Sequence, residues 1–416
     1  MTPEHVDTFD PSKTLLPEVD LFGNLGATLH ETLRPVAGAA SLAWDTSTGA
    51  AVVFRHRDVE ALARDPRVAG IGLSMFDLMG ITDGPLRDWY GGLMFTNDGV
   101  VHNRLRSLVA RAFTPRSAES LRRTAAELAV DALDVGSARD GQVVDLVERF
   151  AVLPTRVMCR LLGVPDRDVA TFADWLDDLS PAFFVMSPTQ IAAATRAIVD
   201  LLSYVDDLAS TRRDNPGPDL ITALLAAEVD GKRLAHDEVV RMVANLLVGG
   251  HDTTTSQLGC SLLVLVANRH EALRAKAELS RLDSLTSETT RLEPSLPLIP
   301  RTAIEPLRID GHEIPAGSML MLCTAAAHRD PVIWRDPDRF DADRFARPGA
   351  PHLLTFGAGA HYCLGAALAR VTLEECLRAV LAVDGCVELV EPRAEIPWRV
   401  VLGRSPERLL VTLSDD

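Results

Sequence analysis

The residues of this chain best suited to chemistry lie at Phe356-Gly357-Ala358-Gly359-Ala360-His361-Tyr362-Cys363-Leu364-Gly365. One cysteine stands among glycines, directly before a helix-forming run, Ala366-Ala367-Leu368-Ala369-Arg370. A free thiol has a pKa of about 8.5, and a helix N-terminus or a metal lowers it. Gly357, Gly359 and Gly365 remove side-chain bulk where backbone must approach a partner closely. The pattern suits a sulfur held as a thiolate against something large and flat. Taken alone, a lone cysteine also reads as a buried thiol in a loop. Gly357-Ala358-Gly359 begins a dinucleotide-type G-x-G, but Tyr362 stands where the third glycine belongs and no βαβ repeat surrounds it. Zinc fails as well, because Cys363 has no local partner ligand and His30-Glu31 lacks a second histidine at the needed spacing.

Three further groups could act with that sulfur, and a haem iron held by a cysteine thiolate is the soft-ligand case that favours O–O cleavage. Asp252-Thr253 follows Gly249-Gly250, an acid and an alcohol beside a glycine-made gap that could accept a ligand and relay protons. The same threonine could equally bond back to the carbonyl of Gly249. Glu288 and Arg291 share one helix face, which for an exposed pair is worth only about 0.2–0.5 kcal/mol. His102, Arg106, Arg301 and His361 are cations or donors in number enough to neutralise two carboxylates, although each alone reads as solvated surface.

The elements that must position these groups are mostly helical. From about His102 to Val266 apolar residues recur at 3–4 spacing, as in Leu105, Leu108 and Val109. The longest predicted helix runs from about His236 to about Val266, opened by Asp237 and Glu238. Its centre is poor helix former: Gly249 and Gly250 together cost about 2 kcal/mol relative to alanine. Short β-like runs stand at Ala50–Phe54, Leu307–Ile309, Met319–Leu322, Val387–Leu389 and Leu409–Leu413, with a proline-rich extended stretch at Glu293–Arg301. The expected fold class is mostly α with a smaller β-rich region. No repeat or linker marks a boundary, so one domain over residues 1–416 is expected.

Composition narrows the function classes. There are 42 basic against 58 acidic residues, a net charge of −16, which disfavours nucleic acid and anionic membrane as partners. No apolar run reaches the roughly 18 residues of a membrane span. The first seven residues carry no signal-peptide pattern, so a cytoplasmic location is expected. Five scattered cysteines besides Cys363 read as reduced, mostly buried thiols.

Together these stretches resemble the cytochrome P-450 family in its soluble bacterial type, from about His102 to the C-terminus. Phe356–Gly365 fits F-G-x-G-x-H-x-C-x-G at every position, and Gly249–Thr254 fits [AG]-G-x-[DE]-T-[TS]. Glu288 and Arg291 fit E-x-x-R, and Phe340–Arg344 fits F-D-x-x-R. Asn97–Arg106 resembles D-P-x-x-H-x-x-L-R, with Gly99 replacing the usual proline.

The resemblance implies the single-domain P-450 fold and roles for each residue. Cys363 would be the proximal ligand of haem b, with Phe356 and Gly365 beside it. His102, Arg106, Arg301 and His361 would bind the haem propionates. Gly249 would mark where the helix opens, with a π-type bulge consistent with that. Asp252 and Thr253 would serve dioxygen activation, and Glu288, Arg291 and Arg344 would form a buried charge network. The implied enzyme is a monomeric haem-thiolate monooxygenase supplied with electrons by a ferredoxin and its reductase. Arg104, Arg111, Arg116, Arg122 and Arg123 could dock that partner. A peroxygenase, isomerase or coupling enzyme and a non-catalytic haem carrier or gas sensor are the alternatives. Met75, Phe76, Leu78, Met79, Met94 and Phe95, with Phe183–Met186 and Leu296, Leu298 and Ile299, are candidate walls for a hydrophobic substrate. A lipid, terpenoid, steroid or macrolide-like product is the expected class.

Overall fold

The computed structural model describes residues 16–133, 143–229, 231–383 and 386–414. Residues 1–7, read above for a targeting signal, and the side chain of Cys386 lie outside them. Helix α1 (Gly99–Ala112) buries Leu105, Leu108 and Val109, as the 3–4 spacing predicts. Next come α2 (Leu153–Leu162), α3 (Val169–Leu179) and α4 (Pro188–Asp214), the last opened by a capping box between Ser187 and Gln190.

Helix α5 (His236–Ala267) runs through the middle of the molecule, in contact with α2, α3 and α4. It also packs on α6 (Leu282–Leu292) and α7 (Ala366–Leu381). Residues 256–266 of α5 are buried on every side, as befits a core helix. Each such apolar side chain contributes about 1.5–3 kcal/mol on burial, which outweighs the two glycines. The α geometry continues through Gly249-Gly250 without the expected π-type bulge. Gly250 serves a contact and Gly249 leaves open space. A Cβ on Gly250 would lie 3.2 Å from Met158 of α2, whereas one on Gly249 would meet nothing within 4 Å.

One sheet has the strand order β1-β2-β3-β6-β5-β4. Its members are β1 (Glu18–Val19), β2 (Leu42–Asp45), β3 (Ala50–Val53), β4 (Val68–Ala69), β5 (Leu298–Ala303) and β6 (Met319–Cys323). Strand β6 runs parallel to β3, Leu320 beside Ala51, and antiparallel to β5, Leu320 beside Arg301. Alternation along β5 puts Ile299 and Arg301 on one face and turns Leu298 to the other. A hairpin of β7 (Trp398–Val400) and β8 (Arg404–Pro406) packs against α5 through β8. The stretch from His102 to Val266 is less purely helical than its spacing suggests. Val144–Asp145 pairs with the C-terminal strand, and Glu228–Val229 pairs with Lys232–Arg233.

Glu288 and Arg291 are wholly buried, unlike the exposed pair that spacing alone gives. Glu288 accepts from Arg291 Nε at 2.7 Å and from Arg344 Nε at 3.0 Å. The spare guanidinium N–H groups donate to the carbonyls of His328, Arg335 and Pro337, each at 2.7 Å. The irregular segment before the cysteine loop is thereby pinned to α6. Among the described residues, no helix is long and apolar enough to cross a membrane.

Candidate active site

The cysteine loop is shaped by local backbone demands. Gly357 and Gly359 take φ values of 71° and 68°, the left-handed region that suits glycine. A Cβ on Gly359 would lie 2.6 Å from the carbonyl oxygen of Ala63. The Cys363 N–H donates to the Phe356 carbonyl at 2.8 Å and closes the loop. Gly365 caps α7. The Ala366 N–H donates to the Cys363 carbonyl at 3.4 Å.

Cys363 is set deep in the protein yet open to a cavity of about 350 Å³. Burial pushes its thiol pKa up, and outweighs the downward pull of the Gly365 N–H, Arg106, Arg370 and the Ala366 N–H. The helix N-terminus alone therefore does not make the thiolate that the sequence suggests. A metal bound at the sulfur would, since coordination deprotonates a thiol. Cys159, Cys260, Cys323 and Cys376 are buried free thiols, as expected.

The same cavity is lined by Gly249, Gly250 and Thr253 of α5. Thr253 Oγ1 donates to the Gly249 carbonyl at 2.6 Å, the back-bonded alternative raised by the sequence. Asp252 is absent from the lining. Its carboxylate is buried on the hairpin side of α5, 3.0 Å from Arg399 and 2.7 Å from the Gly403 N–H. Gly403 permits this approach, because a Cβ there would lie 2.7 Å from Ser256. Arg399 and Gly403 went unread in the sequence, since nothing in spacing links positions about 150 residues apart.

The four expected cationic or donor groups do gather at the cavity: His102, Arg106, Arg301 and His361 all line it. The rings of His102 and His361 lie 4.4 Å apart. His361 Nε2 lies at hydrogen-bond distance, 2.7 Å, from the Asp98 carboxylate, a partner that spacing did not disclose. Burial, reinforced by His361 and Arg106, pulls the His102 pKa below its ordinary value. Burial likewise lowers Arg301, and Asp98 only offsets it. Arg106 donates to the Tyr362 carbonyl at 2.6 Å. Arg106 and Arg301 have no carboxylate partner at ion-pair distance among the described residues. Arg370 stacks over Phe356, 4.8 Å from the ring centre, a further partner the sequence did not disclose.

The proposed substrate walls divide. Met94, Phe95, Leu296 and Ile299 line the cavity. Phe76 and Met186 are core residues, and Leu78 and Val185 face solvent. The docking arginines divide too. Arg104 pairs with Glu238, Arg122 with Glu374 and Glu375, and Arg123 with Glu127. Arg111 and Arg116 remain exposed without an ion pair among the described residues.

The model of the cytochrome P450 family matches residues 80–382. This chain belongs to that family. It is 36% identical to the mycinamicin IV hydroxylase/epoxidase of Micromonospora griseorubida, over 86% of this chain and 88% of the relative. It is 32% identical to the luteothin monooxygenase of Streptomyces thioluteus, over 88% and 89%. Among solved structures, the cytochrome P450 PksS of Bacillus subtilis 168 superposes with a TM-score of 0.83 at 28% identity, covering 94% of this chain and 98% of that one. The chain is thus a P450 monooxygenase with the P450 fold. The family's cofactor is haem iron, and its members take electrons from redox partners.

The residues present fit that cofactor. His102 Nε2 is buried with no hydrogen-bond partner, beside two guanidinium groups that lack a carboxylate. An anionic edge, such as a pair of propionates, would satisfy all three. Gly249 leaves open space at the cavity.

Proposed function

We propose that residues 1–416 form one haem-thiolate oxygenase domain that binds haem b and hydroxylates or epoxidises a hydrophobic natural product. Electrons would come singly from a ferredoxin and its reductase. The observation that carries this reading is that Cys363, the Gly249–Thr253 turn and four cationic or donor groups all line one cavity with apolar walls.

In this reading Cys363 holds the iron, while His102, Arg106, Arg301 and His361 take the propionates. Gly249, Phe356 and Gly365 give the ring close approach. Haem bound there supplies the oxidising chemistry, with dioxygen giving one oxygen atom to a C–H or C=C bond and the other to water. The chain's own residues do the rest. Met94, Phe95, Leu296 and Ile299 exclude water and orient an apolar substrate. Thr253 presents its hydroxyl at the cavity, with the proton committed to the Gly249 carbonyl. Asp252 moves protons from the β7–β8 side, where Arg399 and Gly403 hold its carboxylate.

The names of the two relatives specify mycinamicin IV and luteothin, which supports the macrolide-like natural product among the classes read from the sequence, ahead of a lipid, terpenoid or steroid. Arg111 and Arg116 are the arginines left to meet an acidic ferredoxin. A monomer in the cytoplasm completes the reading. Its test is NADPH-driven turnover with added ferredoxin, reductase and a natural-product library. Oxygenated product is expected, and Asp252→Asn should slow its formation by about a hundredfold. Peroxide without product, or product that forms with hydrogen peroxide but not with dioxygen and the ferredoxin system, would contradict the proposal.

A further inference from the structure

The polar side chains around the cavity are largely committed to the protein. The Gln257 amide donates to the Glu293 carbonyl at 3.0 Å and accepts from the Ser295 N–H at 2.9 Å. Thr253 is back-bonded, and the histidine and arginine group gathers at the His361 end. On α5 two cavity-lining side chains remain without a hydrogen bond among the described residues, Asn245 and Thr254. Thr254 adjoins the reaction turn. Asn245 stands apart from it.

Asn245 lies one helical turn, about 6 Å along the axis, before Gly249 and on the same stripe as Gly249 and Thr253. The surrounding distal wall is apolar, with Met94, Phe95, Met158, Met242 and Leu246. An apolar occupant would strip water from the carboxamide and offer nothing in return. Leaving a buried polar group unsatisfied costs about 1–3 kcal/mol. A substrate that carries its own hydrogen-bonding group avoids that cost. The carboxamide both donates and accepts, so a hydroxyl, ketone, lactone or amide would serve. No Asp or Glu among the described residues lines the cavity, so an amine finds no counter-charge there. Arg106 and Arg301 stand with the propionate group, which leaves a substrate carboxylate without a cation of its own.

We infer that Asn245 is a specificity-determining residue, selecting neutral, mainly apolar substrates that carry a hydrogen-bonding oxygen or amide about one helical turn from the part seated at Gly249–Thr253. The inference rests on the haem reading above and narrows its substrate class.

The test uses the holoprotein and iron-ligating probes, 1-alkylimidazoles of four to ten carbons and their ω-hydroxy and ω-amino counterparts. Dissociation constants are read from the shift of the Soret band, without turnover. In the wild type, the ratio of hydroxyalkyl to alkyl dissociation constants should dip at one chain length. Asn245→Leu and Asn245→Ala should each raise the ratio there by about tenfold, the scale of one hydrogen bond. Binding of 1-butylimidazole should stay unchanged, which shows that both variants are folded. Asn245→Asp should instead favour the amino series. A ratio that varies smoothly with length in the wild type would overturn the inference. So would variants that weaken the alkyl and hydroxyalkyl probes equally. If the wild type gives no imidazole-induced shift at all, the haem reading itself fails, an outcome distinct from both.

Discussion

The cysteine loop and the middle of α5 line one cavity, yet Gly357 and Gly359 in the loop answer to different constraints from Gly249 and Gly250 in the helix. In the loop the backbone itself demands glycine, through left-handed φ at Gly357 and Gly359 and the near contact of Gly359 with Ala63. In α5 the backbone is ordinary α-helix, and its glycines make room: Gly250 for Met158, Gly249 for whatever occupies the cavity. The loop is a rigid holder whose geometry is set before any ligand arrives. The helix segment is a shaped wall whose chemistry depends on partners brought from elsewhere in the chain.

Two buried charge networks buttress these regions, and they offer the first ways to separate them. On the loop side, Glu288→Ala strands Arg291 and Arg344 without their carboxylate. Removing one partner of a buried pair costs about 3–5 kcal/mol, so the denaturant midpoint should fall sharply. Glu288→Gln should recover part of the loss by keeping an acceptor.

Behind α5, Glu293 is wholly buried between His30 at 3.0 Å and Arg404 at 2.8 Å. Burial lowers the His30 pKa from 6.5 to about 4, against the opposing pull of Glu293. Between those values the unfolded chain carries a proton that the folded chain does not. Stability should therefore fall as pH drops from about 6.5 to about 4, by up to about 3 kcal/mol from this group. Burial also holds His328 well below its ordinary value, so it adds in the same direction. Urea unfolding across that range should accordingly flatten in His30→Gln, but only in part.

The same substitution should have opposite signs in the two glycine pairs. Gly359→Ala forces a side chain into left-handed backbone and against the Ala63 carbonyl, and should cost about 2 kcal/mol or more. Gly249→Ala enters open space in a helix, where alanine is favoured by about 1 kcal/mol. It should raise the melting temperature of the apoprotein while weakening binding of bulky ligands. If both variants lose stability equally, the distinction between holder and wall is wrong.

How far the sequence could be read follows the same division. The loop was legible because its constraints are local: glycines at turns, a cysteine at a helix start, an aromatic seven residues before it. The span of α5 was legible as well, read to about Val266 and ending at Ala267. The strand at Leu298–Ala303 emerges from the proline-rich extended stretch. Contacts that close over long sequence separations were not legible. Arg399 on Asp252, Asp98 on His361 and Glu293 on His30 are set by how strands and helices pack, which spacing does not encode. The burial of Glu288 and Arg291 was likewise invisible to an i, i+3 rule. Back-bonding of Thr253 was foreseen only as one of two alternatives, because a threonine in a helix supports both.

The central claim is that the loop delivers a thiolate to haem iron through Cys363. The most direct test is the absorption spectrum of the reduced, carbonyl-bound protein, compared between wild type and Cys363→Ser. The account predicts a strongly red-shifted Soret band in the wild type and its disappearance in the variant. Retention of that band in Cys363→Ser, or its absence from haem-loaded wild type, would contradict it.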